Sequence, residues 1–415
     1  MSGTSEHVLQ NKSDGSSGHF GQDSEVSRVM TPPSFGFADA GGGDPPVQRQ
    51  ESGGGGAIQN DNEQGGDGSE LLPAARAAFA GVAGAAGAAN ASTDPPNKFE
   101  KVNDRTNNKL SDAIIPEVNA AVATVQTLTG QDIGTGFGDT TRRLGSTTTK
   151  RGADNFSWHK TGRAVDFNQG LRWVIAKDPS GSDMYFRLYL KASQQGPAEG
   201  DAPLAEGAKF AHPSPYAKQF DKATEADSIH HNGVGNALWK NWMIDVTSIL
   251  EANGLERIKA HSDWKTNYNG REWWHYVNDG GLSWYQALAQ IYTEQQIIDG
   301  VKTFATRRHT DAARLKREGF PDNVLKSVWG NTKITKNGFG LYFSVGSNYG
   351  CANMTEDVTA VRNALIQLKI ADNANIAVMI TAFQTKKGYS NPDGYITVGK
   401  GTHAAIGKDL QAANP

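Results

Sequence analysis

The sequence predicts an α+β fold with a mainly antiparallel sheet flanked by helices, plus a small C-terminal three-helix module and a disordered N-terminal tail. Apolar residues recur at helical spacing from Leu110 to Val125, which predicts an amphipathic helix. Two strand-like runs, 171–176 and 184–190, flank a segment dense in turn residues, which predicts a β-hairpin. Further helical periodicity over 358–383 predicts the C-terminal helices.

Length and composition limit the number of domains, the class of partner and the kinds of metal site that the chain can have. The 415 residues suffice for two or three domains, and a net charge of −3 gives no reason to expect a nucleic-acid partner. The one cysteine, Cys351, excludes an internal disulfide framework and a cysteine-based zinc site. Any metal site must therefore be built from His, Asp and Glu.

The N-terminal quarter of the chain has the composition of a tail and a linker. Residues 1–68 are rich in Gly, Ser, Asp, Gln and Pro, and too poor in aliphatic clusters to offset the entropy of ordering, so a disordered tail is predicted. Residues 69–96 are an Ala/Gly-rich linker in which Arg76 and several glycines oppose stable membrane insertion. No basic segment followed by an apolar core opens the chain, so no secretory signal peptide is visible.

The next elements, residues 97–298, are expected to form one domain. After the first helix, Gly130–Gly138 is predicted to be a turn and a short strand that leads to Arg142 and Arg143. Residues 193–232 are a long polar connection, interpreted as a surface excursion or lid. Residues 238–252 are predicted to be a helix that Asn253-Gly254 ends, and a further helix runs through Leu288 and Ile291.

Two segments complete the chain. Residues 299–343 are predicted to be a basic helical connector, whose arginines either form a solvated helix face or contact an anionic polymer. Residues 344–415 are predicted to be the helical module, in which Asn391–Gly394 is a turn.

Two short motifs carry the chemistry. His159 and Asp166 stand seven residues apart, and Glu272 and His275 stand three apart. Two imidazoles and one carboxylate are a common ligand set for a catalytic zinc ion, with a fourth position open for water. His159, Asp166 and His275 are therefore the predicted metal ligands, and Glu272 is the predicted acceptor of the water's proton.

The sequence also offers other histidines as possible ligands and leaves the geometry of Glu272 and His275 undecided. Five other histidines are interpreted as structural or merely exposed: His212, His230, His231, His261 and His309. Rival ligand sources are His230-His231 and His261 with Asp263. Glu272 and His275 share a face on a helix but not on a regular strand, so a strand would need a bulge or bend to re-aim one of them.

Positive charge near the reacting carbonyl group would stabilise the negative charge that develops there. The candidates are Arg142 and Arg143, and we expect only one of them to belong to the site.

Ser157-x-His159-x-x-Gly162-x-Ala164-x-Asp166 and Glu272-x-Trp274-His275 resemble the two signatures of the zinc D-alanyl-D-alanine carboxypeptidases and related peptidoglycan peptidases. That group shares its fold with lysostaphin and the hedgehog signalling domain, and the resemblance covers residues 105–292. It implies one Zn²⁺ per chain on the three predicted ligands and a general base at Glu272. It also implies a substrate-binding arginine at Arg142 or Arg143, with Ser157 and Trp274 against the substrate.

The C-terminal segment resembles three-helix peptidoglycan-binding modules. The matching positions are Glu356-Asp-Val358, Val361, Leu365, Ala382-Phe-Gln384, Gly388, Pro392-Asp-Gly394 and Thr402. A wall-binding module beside a wall peptidase would raise the local enzyme concentration on an insoluble substrate. The alternative is a helical module that binds another partner.

The N-terminal tail contains two islands, Met30–Phe37 and Val47–Gln50. They are interpreted either as linker or as a docking or export tag. Their Thr-Pro-Pro-x-Phe-x-Phe and Val-Gln-Arg sequences resemble the tails of some cargo proteins of bacterial contractile injection systems.

The resemblances together predict a zinc metallopeptidase that cuts the peptide stems of bacterial peptidoglycan, as a D,D-carboxypeptidase or an endopeptidase. It would act at the bacterial cell wall after export by a non-classical route, injection or lysis. One alternative is a non-catalytic, zinc-containing wall-binding module. Another is a wall-opening cargo or structural component of a phage tail or contractile injection system, whose apparatus would recognise the tail.

Overall fold

The computed structural model describes most of the chain from Pro95 to Asn414. Within that span it leaves out eight internal stretches: 105, 147–154, 179–185, 197–208, 234–237, 239–240, 259–264 and 269–271. The described residues all fall within one compact unit, 87–415. The predictions for the N-terminal tail, its two islands and nearly all of the Ala/Gly-rich linker lie outside the described residues, as do His261 and Asp263.

Short helices and strands follow one another throughout the described chain. The helices are α1 (Ile115–Thr129), a 3-10 helix (Trp158–Thr161), α2 (Lys222–Ala226), α3 (Val246–Ala252), α4 (Trp284–Ala289), α5 (Glu294–Lys302), α6 (Thr310–Arg317), α7 (Asp322–Val328), α8 (Thr355–Gln367), α9 (Ile376–Lys386) and α10 (Gly401–Ala413). None of these described helices combines the length and apolar character needed to cross a membrane.

The strands pair in five sheets, and every described pair is antiparallel. They are β1 (Phe99–Lys101), β2 (Lys109–Ser111), β3 (Ala164–Asp166), β4 (Val174–Lys177), β5 (Phe186–Lys191), β6 (Ala217–Gln219), β7 (Ser228–His230), β8 (Trp242–Asp245), β9 (Glu256–Arg257), β10 (His275–Val277), β11 (Ile334–Lys336), β12 (Phe339–Leu341), β13 (Val345–Gly346) and β14 (Tyr395–Ile396). The predicted α+β class with antiparallel sheets is confirmed.

The largest sheet has five strands in the order β6-β8-β5-β4-β7. Its centre is the β4–β5 pair, in which Val174 lies opposite Tyr189 and Lys177 opposite Phe186. This pair is the hairpin that the sequence predicts.

Helix α1 supplies the other layer of the first core. Pro116 stands in its first turn, where the missing N–H costs nothing, and Gly130 ends it in the left-handed conformation. Val118, Val122 and Val125 are fully buried together with residues of the sheet and of α3. Each such side chain contributes about 1.5–3 kcal/mol by leaving water.

The predicted helix over 238–252 is wrong in its first half. Trp242–Asp245 forms β8, which pairs with β5 on one side and β6 on the other. Only Val246–Ala252 is helical, and the Asp245 carboxylate accepts a hydrogen bond from the Ser248 N–H at its start. Pairing with strands distant in sequence overrides local periodicity here. The short strand predicted within 130–138 is also not found, because these residues form turns and bends.

The basic connector is part of a second core. Helix α5 runs from Glu294 to Lys302 and so crosses the boundary predicted between residues 298 and 299. Buried residues of α4 to α7 pack there with Leu144 on one side and with Phe343, Ala352 and Met354 on the other. These helices therefore share one apolar core with Leu144, which precedes the first motif, and with residues 343–354.

Three arginines of the connector contact aromatic rings of the same chain. The Arg314 guanidinium lies 4.0 Å from the ring centre of Phe156, and that of Arg317 lies 3.3 Å from the ring centre of Tyr349. Arg308 lies 5.3 Å from the ring centre of Phe343. Since these side chains are engaged in cation–π contacts, the predicted solvated face is only partly available to solvent.

The C-terminal residues form a third core. Helices α8, α9 and α10 pack with the two small sheets β11–β12 and β13–β14 around Leu341, Val345 and Ile396. The Asp357 carboxylate at the start of α8 accepts hydrogen bonds from the backbone N–H groups of Tyr342 and Phe343, at 2.9 and 2.8 Å. This buried carboxylate fixes the chain that enters β13 against α8.

The titration of Asp357 yields a prediction for stability. Burial raises the pKa of Asp357 to about 6, above its ordinary value of 3.8, although the two N–H groups act against this. Because the pKa is higher in the folded protein than in the unfolded chain, the protonated carboxyl stabilises the fold. This stabilisation is complete below pH 3.8 and is lost as the pH rises through about 6. We expect the free energy of unfolding to lose about 3 kcal/mol from this group over that window.

Urea unfolding of the full chain between pH 4 and 7 measures this loss, with Asp357→Asn as the comparison because an amide does not titrate. The difference between the two proteins should change across the window. An identical difference at pH 4 and pH 7 would contradict the assignment.

Candidate metal centre

Three residues from separate elements meet at one point. His159 lies in the 3-10 helix, Asp166 ends β3, and His275 begins β10. Their candidate ligand atoms all lie within 4.8 Å of one another. Among the described residues, these three, the triad, are the one cluster of His, Cys, Asp and Glu side chains that could hold a metal ion. The three residues predicted as ligands from the two motifs are thus brought together by the fold.

The geometry suits a metal ion. The Asp166 Oδ1 atom lies 3.3 Å from His159 Nε2 and 2.9 Å from His275 Nδ1, and the two imidazole rings meet edge to face at 4.8 Å between centres. Ligands about 2.0–2.2 Å from a tetrahedral zinc ion stand roughly 3.4 Å from one another. The two distances from Asp166 lie within about 0.5 Å of that value, and all three donor atoms lie within 4.8 Å of one another, so the three residues could hold a metal ion.

The strand pair β3–β10 produces this convergence. Asp166 lies directly opposite His275 in the antiparallel register, and Tyr276 lies opposite Val165. Side chains of directly opposite residues stand on the same face of the pair, which places the carboxylate and the imidazole side by side. A slip of one residue would send one of them to the other face.

The backbone of Asp166 is held by residues 138–139 on the edge of β3 that faces away from β10. Its backbone N–H donates to Asp139 O at 3.0 Å, and its carbonyl accepts from Gly138 N at 2.8 Å. Burial acts to raise the pKa of Asp166, but the hydrogen bonds with His159 and His275 outweigh it, so this pKa lies well below its usual range. The side chain is therefore an anion at neutral pH, the form that binds a cation.

The 3-10 helix is shaped to present His159. The Ser157 side chain caps it by accepting a hydrogen bond from His159 N, and Gly162 ends it with φ of +65°. A Cβ atom at Gly162 would stand 2.6 Å from both the Phe99 ring and the Ser111 backbone nitrogen. Glycine is thus required here by the conformation and by the close approach of β2.

Glu272 occupies a bend rather than a strand. Its φ is +48°, and its carbonyl accepts a hydrogen bond from His275 N at 2.8 Å, which closes a turn immediately before β10. The sequence predicts that a bend is needed if Glu272 and His275 are to act together, and this turn is such a bend. The side chain is exposed and makes no hydrogen bond or ion pair among the described residues. A non-glycine residue in this conformation stores strain, as is common at functional sites.

Arg142, one of the two candidate arginines, contacts the first motif. Its backbone N–H donates to His159 O at 3.1 Å, its Nη1 lies 3.5 Å from Ser157 Oγ, and its Nε pairs with Asp139. Arg143 is exposed. Arg142 therefore stands beside the ligand helix with its charge anchored by a carboxylate.

The aromatic residues of the second motif divide between core and surface. Trp273 and Tyr276 are buried, and the Tyr276 hydroxyl lies 3.0 Å from Thr247 Oγ1. Burial raises the pKa of Tyr276. Trp274 is half-buried and its carbonyl accepts from Phe167 N at 3.0 Å, so it is the tryptophan left partly open to a ligand.

The other described histidines make contacts elsewhere. His212 Nδ1 accepts from Ser214 N, His230 lies beside Ser228, His231 packs on Trp273, and His309 Nδ1 lies 2.7 Å from Ser344 Oγ. None of these four joins the metal-ligand group. His230 and His231 thus do not act as the rival ligand source in this arrangement.

A groove of about 670 Å³ among the described residues has no residue of the His159–Asp166–His275 triad in its lining. It is lined by α1 and by two later segments, and its one titratable imidazole is that of His212. The groove brings no acid–base or ligand cluster together, so we place the chemistry at the triad.

Two buried cations beside the ligands are missed by reasoning from the sequence. Lys160 is fully buried, and its ammonium group donates to Ser146 O and Asn155 O and lies 4.6 Å from the Phe304 ring centre. Arg163 is also buried and bonds to Asn278 and Gln290. Because charged residues are mostly exposed, the sequence gives no reason to expect these two to be buried. The one signal in the sequence is their position between His159 and Asp166 in the first motif.

Comparison of the chain with protein-family models, with curated proteins and with solved structures finds no match. The description of the site therefore rests on the geometry of these residues.

We predict that the full chain binds one divalent cation at this triad. His275→Ala and Asp166→Ala should each weaken the affinity for Zn²⁺ by more than the roughly 10–100-fold typical of outer-shell partners, because each removes a ligand. Isothermal titration or competition with a coloured chelator measures this. His231→Ala is the matched control, since its imidazole packs nearby on Trp273, and equal losses in all three variants would contradict the assignment.

Proposed function

We propose that this chain is a zinc-dependent peptidase that hydrolyses the peptide stems of bacterial peptidoglycan, as a D,D-carboxypeptidase or an endopeptidase. The observation that carries the proposal is the convergence of His159, Asp166 and His275, with the Glu272 turn directly before the third of them. The likeness of the two motifs to the peptidoglycan peptidases supplies the substrate class.

Zinc fits the donor set best. Two borderline imidazole ligands and one hard carboxylate ligand are a common set for catalytic Zn²⁺, and the chain's one cysteine, Cys351, is not among the residues of the triad. A zinc ion held there would supply Lewis acidity and a water of lowered pKa.

The side chains around the triad have separate tasks in such a reaction. The Glu272 carboxylate would take a proton from the attacking water and deliver it to the leaving amine nitrogen. The Arg142 guanidinium would face the substrate carboxylate or the carbonyl oxygen on which negative charge develops. Asp139 keeps that guanidinium oriented, and Ser157 and Trp274 would contact the substrate beside it.

The C-terminal residues would hold the enzyme on the wall. A groove of about 430 Å³ lies between the start of α9 and the turn before β14, and its lining includes Val378, Thr381 and Asp393. Val378 is 49% exposed and lines the groove, so its side chain is available for an apolar contact with a ligand there. The sequence pattern that resembles wall-binding modules includes four residues of the lining: Ala382, Pro392, Asp393 and Gly394.

Two alternative functions would give different outcomes in the same tests. A non-catalytic wall-binding protein would keep its zinc and its affinity for the wall but leave the peptide stems intact. A wall-opening component of a phage tail or contractile injection system would hydrolyse the stems and depend for its delivery on residues 1–68.

We predict that Glu272→Gln abolishes hydrolysis and leaves zinc binding unchanged. The amide has the same shape but cannot accept a proton, and general-base catalysis contributes about 10²–10⁴-fold to rate. Release of soluble fragments from purified peptidoglycan measures the rate, and metal analysis measures the zinc. Glu294→Gln, at an exposed position of α5, is the control and should retain full activity. Retained activity in Glu272→Gln would sink the proposed mechanism.

We predict that Val378→Glu weakens co-sedimentation with insoluble peptidoglycan by about tenfold or more, since it removes an apolar contact worth at least ~1.4 kcal/mol. Hydrolysis of soluble muropeptides should be unaffected, because the triad is untouched. Ile366→Glu is the control: Ile366 is 42% exposed on α8 and does not line the groove. Equal effects of the two substitutions would show that the groove is not the contact surface.

A further inference from the structure

Arg163 lies between the two parts of the metal-ligand set. It follows the 3-10 helix that carries His159 and precedes β3, which ends at Asp166. Only 6% of the residue is exposed. A buried guanidinium is costly to desolvate. Two of its nitrogens, Nη1 and Nη2, make hydrogen bonds that offset part of this cost, whereas Nε has no partner among the described residues.

The contacts of Arg163 complete the β3–β10 ladder. Its carbonyl accepts a hydrogen bond from Asn278 N at 2.9 Å, as expected for the next antiparallel pair after Ala164 and Val277. Its own backbone N–H, however, points back to Trp158 O at 3.4 Å in the 3-10 helix. The guanidinium replaces this missing ladder bond, because its Nη1 donates to Asn278 O at 3.1 Å, the acceptor that the backbone N–H would otherwise use.

The second arm of the guanidinium reaches α4. Its Nη2 donates to the Gln290 side-chain oxygen at 2.8 Å, at the C-terminal end of that helix. At the N-terminal end, the Trp284 indole donates to Ser157 O at 3.2 Å. Helix α4 thus contacts both ends of the 3-10 helix, at the N-cap residue Ser157 and at Arg163, which follows the C-cap Gly162.

We propose that Arg163 is a positioning residue that sets the separation of His159 from the Asp166–His275 pair by joining the 3-10 helix, β10 and α4. This inference rests on the proposed zinc site. One backbone bond holds the helix of the first ligand, and one side-chain bond holds the strand of the third. Gly280 leaves space for this arrangement, because a Cβ atom there would stand 3.2 Å from Nη1.

Arginine is required because two acceptors must be held at once in fixed directions. A lysine ammonium has no planar fork and would satisfy Asn278 O or Gln290, but not both in the same geometry. Arg163→Lys should therefore keep the buried charge and loosen the ligand set. The affinity for Zn²⁺ should fall by about 10–100-fold, the range typical of partners that orient ligands.

The test measures zinc affinity by chelator competition and the melting temperature of the metal-free full chain. Arg187→Lys is the matched control, since Arg187 pairs with Asp178 and Asp245 on the large sheet, away from the ligands. We expect both variants to lower the melting temperature and only Arg163→Lys to weaken zinc binding. The absorption spectrum of the Co²⁺-loaded protein should also change in Arg163→Lys alone, because that spectrum reports ligand geometry.

A second pair of variants keeps the test informative if Arg163→Lys does not fold. Gln290→Ala removes the acceptor of Nη2 and should weaken zinc binding in the same direction, whereas Gln290→Glu keeps an acceptor and should restore it. Unchanged affinity in both Arg163→Lys and Gln290→Ala, or an equal loss in Arg187→Lys, would overturn the inference and leave the proposed function standing. A wild-type chain that binds no zinc would overturn both.

Discussion

The antiparallel pairing of β3 with β10 is the interaction on which the site depends. It places Asp166 opposite His275, so that a carboxylate and an imidazole 109 residues apart in the chain share one face. The third candidate ligand comes from the turn of helix that leads into β3. Strand registers are held by packing as well as by hydrogen bonds, and here the buried Tyr276 and Val165 supply the opposite, apolar face.

Layers further out hold this pair in place. Strand β9 pairs with β10 on the side that faces away from β3. On the other side, Lys160 ties the 3-10 helix to Phe304 of the second core. The ligands thus stand between two cores and do not depend on a mobile loop for their position.

The C-terminal residues are joined to the site by packing. Phe343 and Met354 are buried with residues of α7, Thr355 N donates to Asp322, and His309 lies 2.7 Å from Ser344 Oγ. A binding surface attached in this way differs from one on a flexible tether, because the span between the two surfaces is set by the fold. The proposed wall-binding groove and the triad would therefore address the same polymer at a defined separation.

Local sequence patterns were sufficient for part of this structure. The periodicity from Leu110 to Val125 predicts α1, the turn-rich segment between two strand-like runs predicts the β4–β5 hairpin, and motif spacing predicts the three ligands. Local periodicity predicts β8 as helix because the partner residues of β8 lie 23–27 and 52–56 positions away and leave no mark on the local pattern.

Local sequence patterns also do not predict the contacts of Lys160 and Arg163. Their acceptors are backbone carbonyls and one glutamine side chain, and such contacts depend on tertiary geometry and not on any motif. The contact of Arg142 with Ser157 has the same origin, because it too depends on tertiary geometry.

The central claim is that the triad and Glu272 cut peptide stems of peptidoglycan with a bound zinc ion. Mass spectrometry of muropeptides, after purified peptidoglycan is incubated with the full zinc-loaded chain, tests it most directly. The account predicts loss of a terminal D-Ala, separation of cross-linked dimers or removal of a longer stem peptide, and predicts that a zinc chelator prevents the change. Muropeptides that stay unchanged with full zinc occupancy would contradict it.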